Sequence, residues 1–132
     1  MKLIHTCVRV VDIDASIRFY EALGFEKRGK LQFKTAYNIY MGLPGDGDTL
    51  ELTVNEGRDE PYDLGTGYGH IALVVDDLEE TVTRLGRQGI TPEKPPYHPG
   101  AREDVGPICF VADPDGYRVE LIDGGEFRTP QD

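Results

Sequence analysis

The sequence predicts an α+β fold built from two βαβββ modules, and three observations predict it. The first is an internal repeat. Residues 5–25, HTCVRVVDIDASIRFYEALGF, lie over residues 70–90, HIALVVDDLEETVTRLGRQGI, without a gap at an offset of 65, so that His5 falls on His70, Asp12 on Asp77 and Gly24 on Gly89. The second is a further gapless match of residues 39–52 with residues 108–121 at an offset of 69, which aligns Asp46-Gly47 with Asp115-Gly116 and Glu51 with Glu120. The third is that each copy opens with strand-like alternation and passes into a helix-spaced stretch that ends at a glycine. The offsets differ by four residues, which places a four-residue insertion in the second copy, within the Pro-rich stretch PEKPPYHPGARED.

Taken in order, residues 3–11 alternate apolar and polar side chains and read as a first strand. An Asp-containing turn follows, then a helix in which Ile17, Tyr20 and Leu23 recur at helical spacing and Gly24 supplies a left-handed stop. Residues 26–32, 35–42 and 49–55 read as strands, with the turn PGDGD providing the Gly, Asp and Pro of a tight reversal. In the second copy residues 69–75 form the opening strand, and Val82, Leu85 and Gly89 repeat the helix and its stop. Strands are expected at 91–93, 106–112 and 117–123, with DPDG as the reversal. Module 1 therefore spans 1–56, a polar, Gly-rich linker 57–67, module 2 68–123, and a tail without periodicity 124–132.

Composition narrows the function classes. A chain of 132 residues with 39% hydrophobic and 29% charged residues suits one soluble unit or two half-size modules, and no apolar run nears the ~20 residues of a membrane span. The opening MKLIHTCVRVVD lacks the apolar region and cleavage site of a secretory signal, which predicts a cytoplasmic protein. A net charge of −10 without a cluster of Lys and Arg argues against nucleic acid and anionic lipid as partners. Cys7 and Cys109 lack CxxC spacing and are expected to be two buried thiols of a reducing compartment.

The repeat superposes two histidines and two glutamates, so His5, Glu51, His70 and Glu120 occupy equivalent places on the first and last strands of each copy. Alternation puts His5, Cys7 and Arg9 on one face, and Glu51, Thr53 and Asn55 on one face. A curved sheet would let them line a cavity. Glu51 stands between Leu50 and Leu52, and Glu120 between Val119 and Leu121, surroundings in which a carboxylate needs a partner or a metal. Any one of the four alone reads as an ordinary strand residue; their fourfold coincidence under the repeat does not. Two neutral imidazoles and two carboxylates balance a divalent cation and leave two positions of an octahedron for water or substrate oxygens. Without thiolate this is not a closed structural zinc site, so Ni²⁺, Co²⁺, Mn²⁺, Fe²⁺ and an open Zn²⁺ site remain candidates.

At HTCVRVVD, TLELTVN, GYGHIAL and DPDGYRVELI the sequence resembles glyoxalase I, the lactoylglutathione lyases of the vicinal oxygen chelate superfamily, over residues 1–123. DPDG followed by an apolar strand and Glu is common across that superfamily, whereas the four motifs together, with Glu51 as a fourth ligand, are more specific. The resemblance implies that His5, Glu51, His70 and Glu120 bind one divalent metal per site, Ni²⁺ or Co²⁺ before Zn²⁺. It implies a substrate formed from methylglyoxal and a thiol such as glutathione, isomerised to S-lactoylglutathione. By the same resemblance Glu120 is the first choice of catalytic base and Glu51 the second, exchanging roles with Glu120 for the opposite hemithioacetal enantiomer; Arg9 and Asn55 hold the glutathione portion, and two chains form a homodimer that shares its sites between subunits.

The chain departs from some members of the family at Thr66, where an arginine can stand, and in the longer YHPGARED loop, where Arg102 is a candidate for the basic thiol-binding residue and His98 reads as a solvated loop residue. These departures leave the identity of the thiol open. Rival readings on the same fold are an acyl-thioester epimerase, an antibiotic thiol transferase and a ring-cleaving dioxygenase, the last usually with two His and one carboxylate. A non-catalytic antibiotic-binding module is the alternative of a different class.

Overall fold

In the computed structural model, which describes residues 1–130, the chain runs β1 (Thr6–Arg9), α1 (Ile13–Ala22), β2 (Glu26–Gln32), β3 (Ala36–Gly42), β4 (Leu50–Asn55), β5 (His70–Val75), α2 (Leu78–Arg87), β6 (Ile108–Ala112) and β7 (Arg118–Asp123). It divides into two units, Met1–Leu64 with the short segment Asp113–Asp115, and Gly65–Ala112 with the chain from Gly116 onward. Of the predicted tail, residues 131 and 132 lie outside the described residues. No described helix is long and apolar enough to cross a membrane.

The two sheets follow one plan. In the first unit the order is β1-β4-β3-β2, with β1 parallel to β4 and the others antiparallel; in the second it is β5-β7-β6, with β5 parallel to β7. Cys7 lies opposite Glu51 in the first parallel pair and Ala72 opposite Glu120 in the second, so the predicted repeat is also a repeat of register. Both helices start and stop alike. Asp12 accepts from the amide of Ala15, and Asp77 from that of Glu80, each satisfying a first-turn donor that has no partner inside the helix. At the other end the amide of Phe25 reaches the Tyr20 carbonyl and that of Ile90 the Leu85 carbonyl, around Gly24 at φ +105° and Gly89 at φ +81°. This is the left-handed stop predicted from the two glycines.

Four details differ from the sequence expectation. The first strand, expected over residues 3–11, is confined to Thr6–Arg9, so that His5 lies just before it. The predicted strand 91–93 is absent; in its place the Pro-rich segment touches β6 through a single bridge, Tyr97 to Ile108, and one bond from the Glu93 amide to the Phe110 carbonyl at 2.8 Å. Pro92, Pro95 and Pro96 have no N–H to give a ladder, which is why the segment pairs only at Glu93 and Tyr97. The buried face of α1 is set by Ser16, Phe19 and Tyr20, while Ile17 and Leu23 are half-buried. Cys109 is buried, and burial pushes its thiol up to about 11, but Cys7 is exposed, because it stands on the polar face of β1 between the buried Val8 and the site residues.

In the first unit Val8, Val10, Ile39, Met41, Leu50 and Leu52 form the apolar face of the sheet, covered by Phe19, Tyr20 and Phe25. Gly42 closes the β3–β4 turn where no side chain fits: a Cβ there would sit 2.3 Å from the Gly47 carbonyl oxygen. The DPDG turn does more than reverse the chain. Asp113 is buried and accepts from the Tyr20 hydroxyl at 2.7 Å, and Asp115 accepts from the Val11 amide at 3.0 Å and the Ser16 hydroxyl at 3.5 Å. Burial is the main reason that the Asp115 carboxyl lies above its ordinary value of 3.8, with the Val11 and Ser16 bonds opposing and the Asp12 charge reinforcing it.

A pH dependence follows. The folded chain binds this proton more tightly than the unfolded chain, so the group's contribution to stability is fully present below the unfolded value and is lost as pH rises through the raised folded one. Asp115→Asn, which does not titrate and keeps an oxygen for the Val11 amide, should gain stability relative to wild type progressively as pH is raised from about 4 toward neutral in urea unfolding. A constant difference across that range would show that Asp115 titrates as in the unfolded chain.

Candidate metal centre

The strand pattern that buries Leu50 and Leu52 turns Glu51 and Thr53 to the opposite face of the first sheet. His5, one residue before β1, meets Glu51 there, with Nε2 3.1 Å from Oε2. The second unit repeats the pair on β5 and β7, with His70 Nε2 3.4 Å from Glu120 Oε2. The carboxylates are 13% and 17% exposed and the imidazoles 33% and 35%, so each pair is partly desolvated yet open on the imidazole side. Among the described residues no group of three or more His, Cys, Asp or Glu is arranged to hold a metal ion; what each unit presents is a pair.

The donor chemistry fits a divalent cation. Two ligand atoms adjacent on an octahedron at ~2.1 Å from the ion lie about 3 Å apart, close to the separation in both pairs. Imidazole nitrogen with carboxylate oxygen suits Ni²⁺, Co²⁺, Zn²⁺, Mn²⁺ and Fe²⁺ alike, so the donors alone do not select among them.

Around these equivalent pairs the two units differ, and the difference is invisible in the gapless repeat. Tyr40 stands opposite Glu51 in the β3–β4 register and donates from its hydroxyl to Glu51 Oε2 at 2.7 Å. Asn38 Nδ2 donates to that hydroxyl oxygen at 3.1 Å, Thr53 donates to Asn38 Oδ1 at 2.8 Å, and Cys7 Sγ lies 3.3 Å from the Thr53 hydroxyl. The Asn38 bond tends to lower the Tyr40 phenol, but the Glu51 carboxylate and burial outweigh it, leaving the phenol above its ordinary value and protonated as a donor. Although Cys7 is exposed as a residue, partial desolvation of its thiol raises it, against the Thr53 bond and with help from Glu51.

The residue opposite Glu120 is Phe110. Its ring lies 5.1 Å from that of His70 in an edge-on arrangement and belongs to an apolar cluster with Ile108 and Ile122, against which Tyr97 packs. Arg118, two residues before Glu120, covers Phe110 at 3.9 Å and grips Glu93 through two bonds of 2.7 and 2.8 Å. That grip holds the Glu93 carboxyl below the usual range and ties the Pro-rich segment to β7.

The remaining residues singled out from the sequence are dispersed in their engagements. Arg9 is exposed on β1, in register with Thr53. Asn55 ends β4 and donates from Nδ2 to the Tyr62 hydroxyl at 2.9 Å, while Arg58 stacks on the Tyr62 ring at 4.0 Å. Arg102 is engaged by Asp104 of its own loop, and His98 Nδ1 lies 2.9 Å from the Val105 carbonyl. Tyr40, Asn38, Phe110 and Arg118 were not among the sequence candidates. Pattern reading marks chemical types that recur under the repeat, and these four break it.

Residues 2–121 match the family model for the Glyoxalase/Bleomycin resistance protein/Dioxygenase superfamily. The chain is 40% identical over 129 residues to a protein of Vibrio parahaemolyticus named probable lactoylglutathione lyase, covering 92% of this chain and 89% of the relative. It is 37% identical over 136 residues to the lactoylglutathione lyase of Haemophilus influenzae, covering 98% and 97%. Among solved structures the trypanothione-dependent glyoxalase I of Leishmania major superposes with a TM-score of 0.77 at 32% identity, covering 94% of this chain and 87% of that one.

Proposed function

Because the chain belongs to the glyoxalase/bleomycin resistance/dioxygenase superfamily, we infer that it is a glyoxalase I, a metal-dependent lactoylglutathione lyase. The observation that carries this reading is the pair of His–Glu contacts, His5 with Glu51 and His70 with Glu120, at repeat-equivalent strand positions. A dioxygenase site needs only one carboxylate, and a module that merely sequesters a drug needs none of the four. The substrate class is the hemithioacetal of methylglyoxal and glutathione or another small thiol.

His5, Glu51, His70 and Glu120 would hold one divalent ion, and since each unit presents only two of these ligands, a homodimer that pairs His5 and Glu51 of one subunit with His70 and Glu120 of the other completes the set. The resemblance favours Ni²⁺ or Co²⁺, then Zn²⁺. When bound, the ion supplies Lewis-acid stabilisation of negative charge that develops on substrate oxygens. Glu120 takes the proton from the hemithioacetal carbon and returns it to the neighbouring former carbonyl carbon. The carbon-bound hydrogen thus moves by one carbon and the hydroxyl proton of the hemithioacetal passes to the former carbonyl oxygen, while the carbon–sulfur bond stays intact, giving the thioester of lactate. Phe110, which stands opposite Glu120, belongs to an apolar cluster with Ile108 and Ile122. By the family resemblance Arg9 and Asn55 would receive the carboxylates and amides of the thiol portion, and Arg102 is the candidate from the longer loop. The thiols of Cys7 and Cys109, both unpaired to a disulfide, agree with a cytoplasmic protein.

The test is thioester formation from methylglyoxal premixed with glutathione by metal-free protein reconstituted separately with Ni²⁺, Co²⁺ and Zn²⁺. Turnover is expected to depend on added metal and to vanish on chelation. No turnover with any metal, despite stoichiometric binding, would overturn the assignment to glutathione and shift the search to other thiols.

A further inference from the structure

The two His–Glu pairs share a register but not a neighbour, and the difference falls on the two glutamates. Glu51 Oε2 accepts from Tyr40 Oη at 2.7 Å, in addition to its contact with His5. The phenol is itself fixed. Its oxygen takes a bond from Asn38 Nδ2, and Asn38, which is buried, has its other amide end occupied by the Thr53 hydroxyl, so the Tyr40 proton is directed to the carboxylate. Opposite Glu120 stands Phe110, which has no hydroxyl, and among the described residues His70 is the one partner within bonding distance of the Glu120 carboxylate.

We propose that Tyr40 is a positioning residue that holds Glu51 as the stationary carboxylate of the site and thereby leaves Glu120 as the glutamate free to change partners during turnover. The proposal rests on the lactoylglutathione lyase reading for its chemistry, and on the hydrogen bonds of the first unit for its geometry. A hydroxyl-to-carboxylate bond is of the stronger, charge-assisted kind. For Glu51 to swing toward a substrate carbon it would have to give up that bond, whereas Glu120 gives up only its histidine. Partners of this kind, one step removed from a metal, typically change metal affinity ten- to a hundredfold when deleted. The repeat would otherwise make the two glutamates interchangeable, and Tyr40 against Phe110 is what separates them.

The experiment compares wild type, Tyr40→Phe and Phe110→Tyr as full-length protein, using Ni²⁺ alone as the probe in chelator competition. Tyr40→Phe keeps the ring that packs edge-on to His5 at 5.7 Å and removes only the hydroxyl. It is expected to weaken Ni²⁺ binding by roughly ten- to a hundredfold with an unchanged circular dichroism spectrum. In the second arm Glu120→Gln is combined with Tyr40→Phe, and the double variant should recover at least about tenfold of the turnover lost in Glu120→Gln, because Glu51 is then free to act as base. Phe110→Tyr, which offers Glu120 the same anchor, should lower kcat at undiminished Ni²⁺ affinity. Wild-type affinity in Tyr40→Phe, or weakened affinity with no recovery in the double variant, overturns the proposal. If wild type forms no thioester from methylglyoxal and glutathione with Ni²⁺, Co²⁺ or Zn²⁺, the glutathione-dependent reading fails, and the affinity comparison alone then decides whether Tyr40 anchors Glu51.

Discussion

Glu120→Gln is expected to lower kcat by on the order of 10²–10⁴-fold while leaving KM within a few-fold, since the amide keeps the size and one acceptor oxygen of the carboxylate but cannot take a proton. The side chain is largely enclosed, 17% exposed, with Phe110 opposite it and His70 at 3.4 Å, so the substitution adds no volume to the apolar cluster. Steady-state kinetics of the metal-reconstituted variant, with metal content measured on the same sample, separates loss of the base from loss of the ion. Full metal occupancy with kcat near wild type would remove Glu120 from the role of base. Glu51→Gln is the informative partner: the loss of a tethered ligand should appear first in metal affinity and only through it in rate.

Much of this arrangement is legible in the order of the amino acids. Alternation along β4 and over Val119–Leu121 of β7 is regular enough that the face carrying Glu51 and Glu120 follows from the burial of Leu50, Leu52, Val119 and Leu121 on the other. Asp12 and Asp77 with Gly24 and Gly89 delimit the two helices by local chemistry alone. What escapes is of two physical kinds. One is register across a turn. The gapless match aligns Tyr40 with Cys109, but in the ladders Tyr40 faces Glu51 and Phe110 faces Glu120, because the second hairpin is one residue shorter. A slip of one residue exchanges the two faces of a strand, so the neighbours of the glutamates could not be found by superposing the copies. The other is long-range satisfaction of polar groups. Asp113 and Asp115 look like turn residues, which they are, yet their carboxylates serve Tyr20, Val11 and Ser16 some hundred positions earlier. No local pattern announces such a partner. The strand expected at residues 91–93 fails for a simpler reason, Pro92 within it and Pro95 and Pro96 just after it, and that cue is present in the sequence.

The largest effect on stability is expected at Leu52. Its side chain is fully buried, lies opposite Val8 in the parallel pair and Ile39 in the antiparallel one, and directly follows Glu51 in the chain. Leu52→Ala removes apolar surface from the centre of the first sheet and leaves a cavity that a close-packed interior closes only in part, at a cost of about 2–5 kcal/mol. Against a total of ~5–15 kcal/mol for a domain, that is a large fraction. The urea midpoint should fall accordingly with little change in slope, while Leu52→Ile, which conserves volume, should cost less than about 1.5 kcal/mol. The same strand carries both the core and the carboxylate proposed to bind the metal, so the consequence reaches the site. Loosening β4 at Leu52 frees Glu51 from its place between His5 and Tyr40, and Ni²⁺ affinity should fall in Leu52→Ala even where most of the protein remains folded. An alanine variant with wild-type midpoint would show that the first unit repacks around the missing side chain; one with a lowered midpoint but wild-type affinity would show that Tyr40 and His5 hold Glu51 without help from the core beneath it.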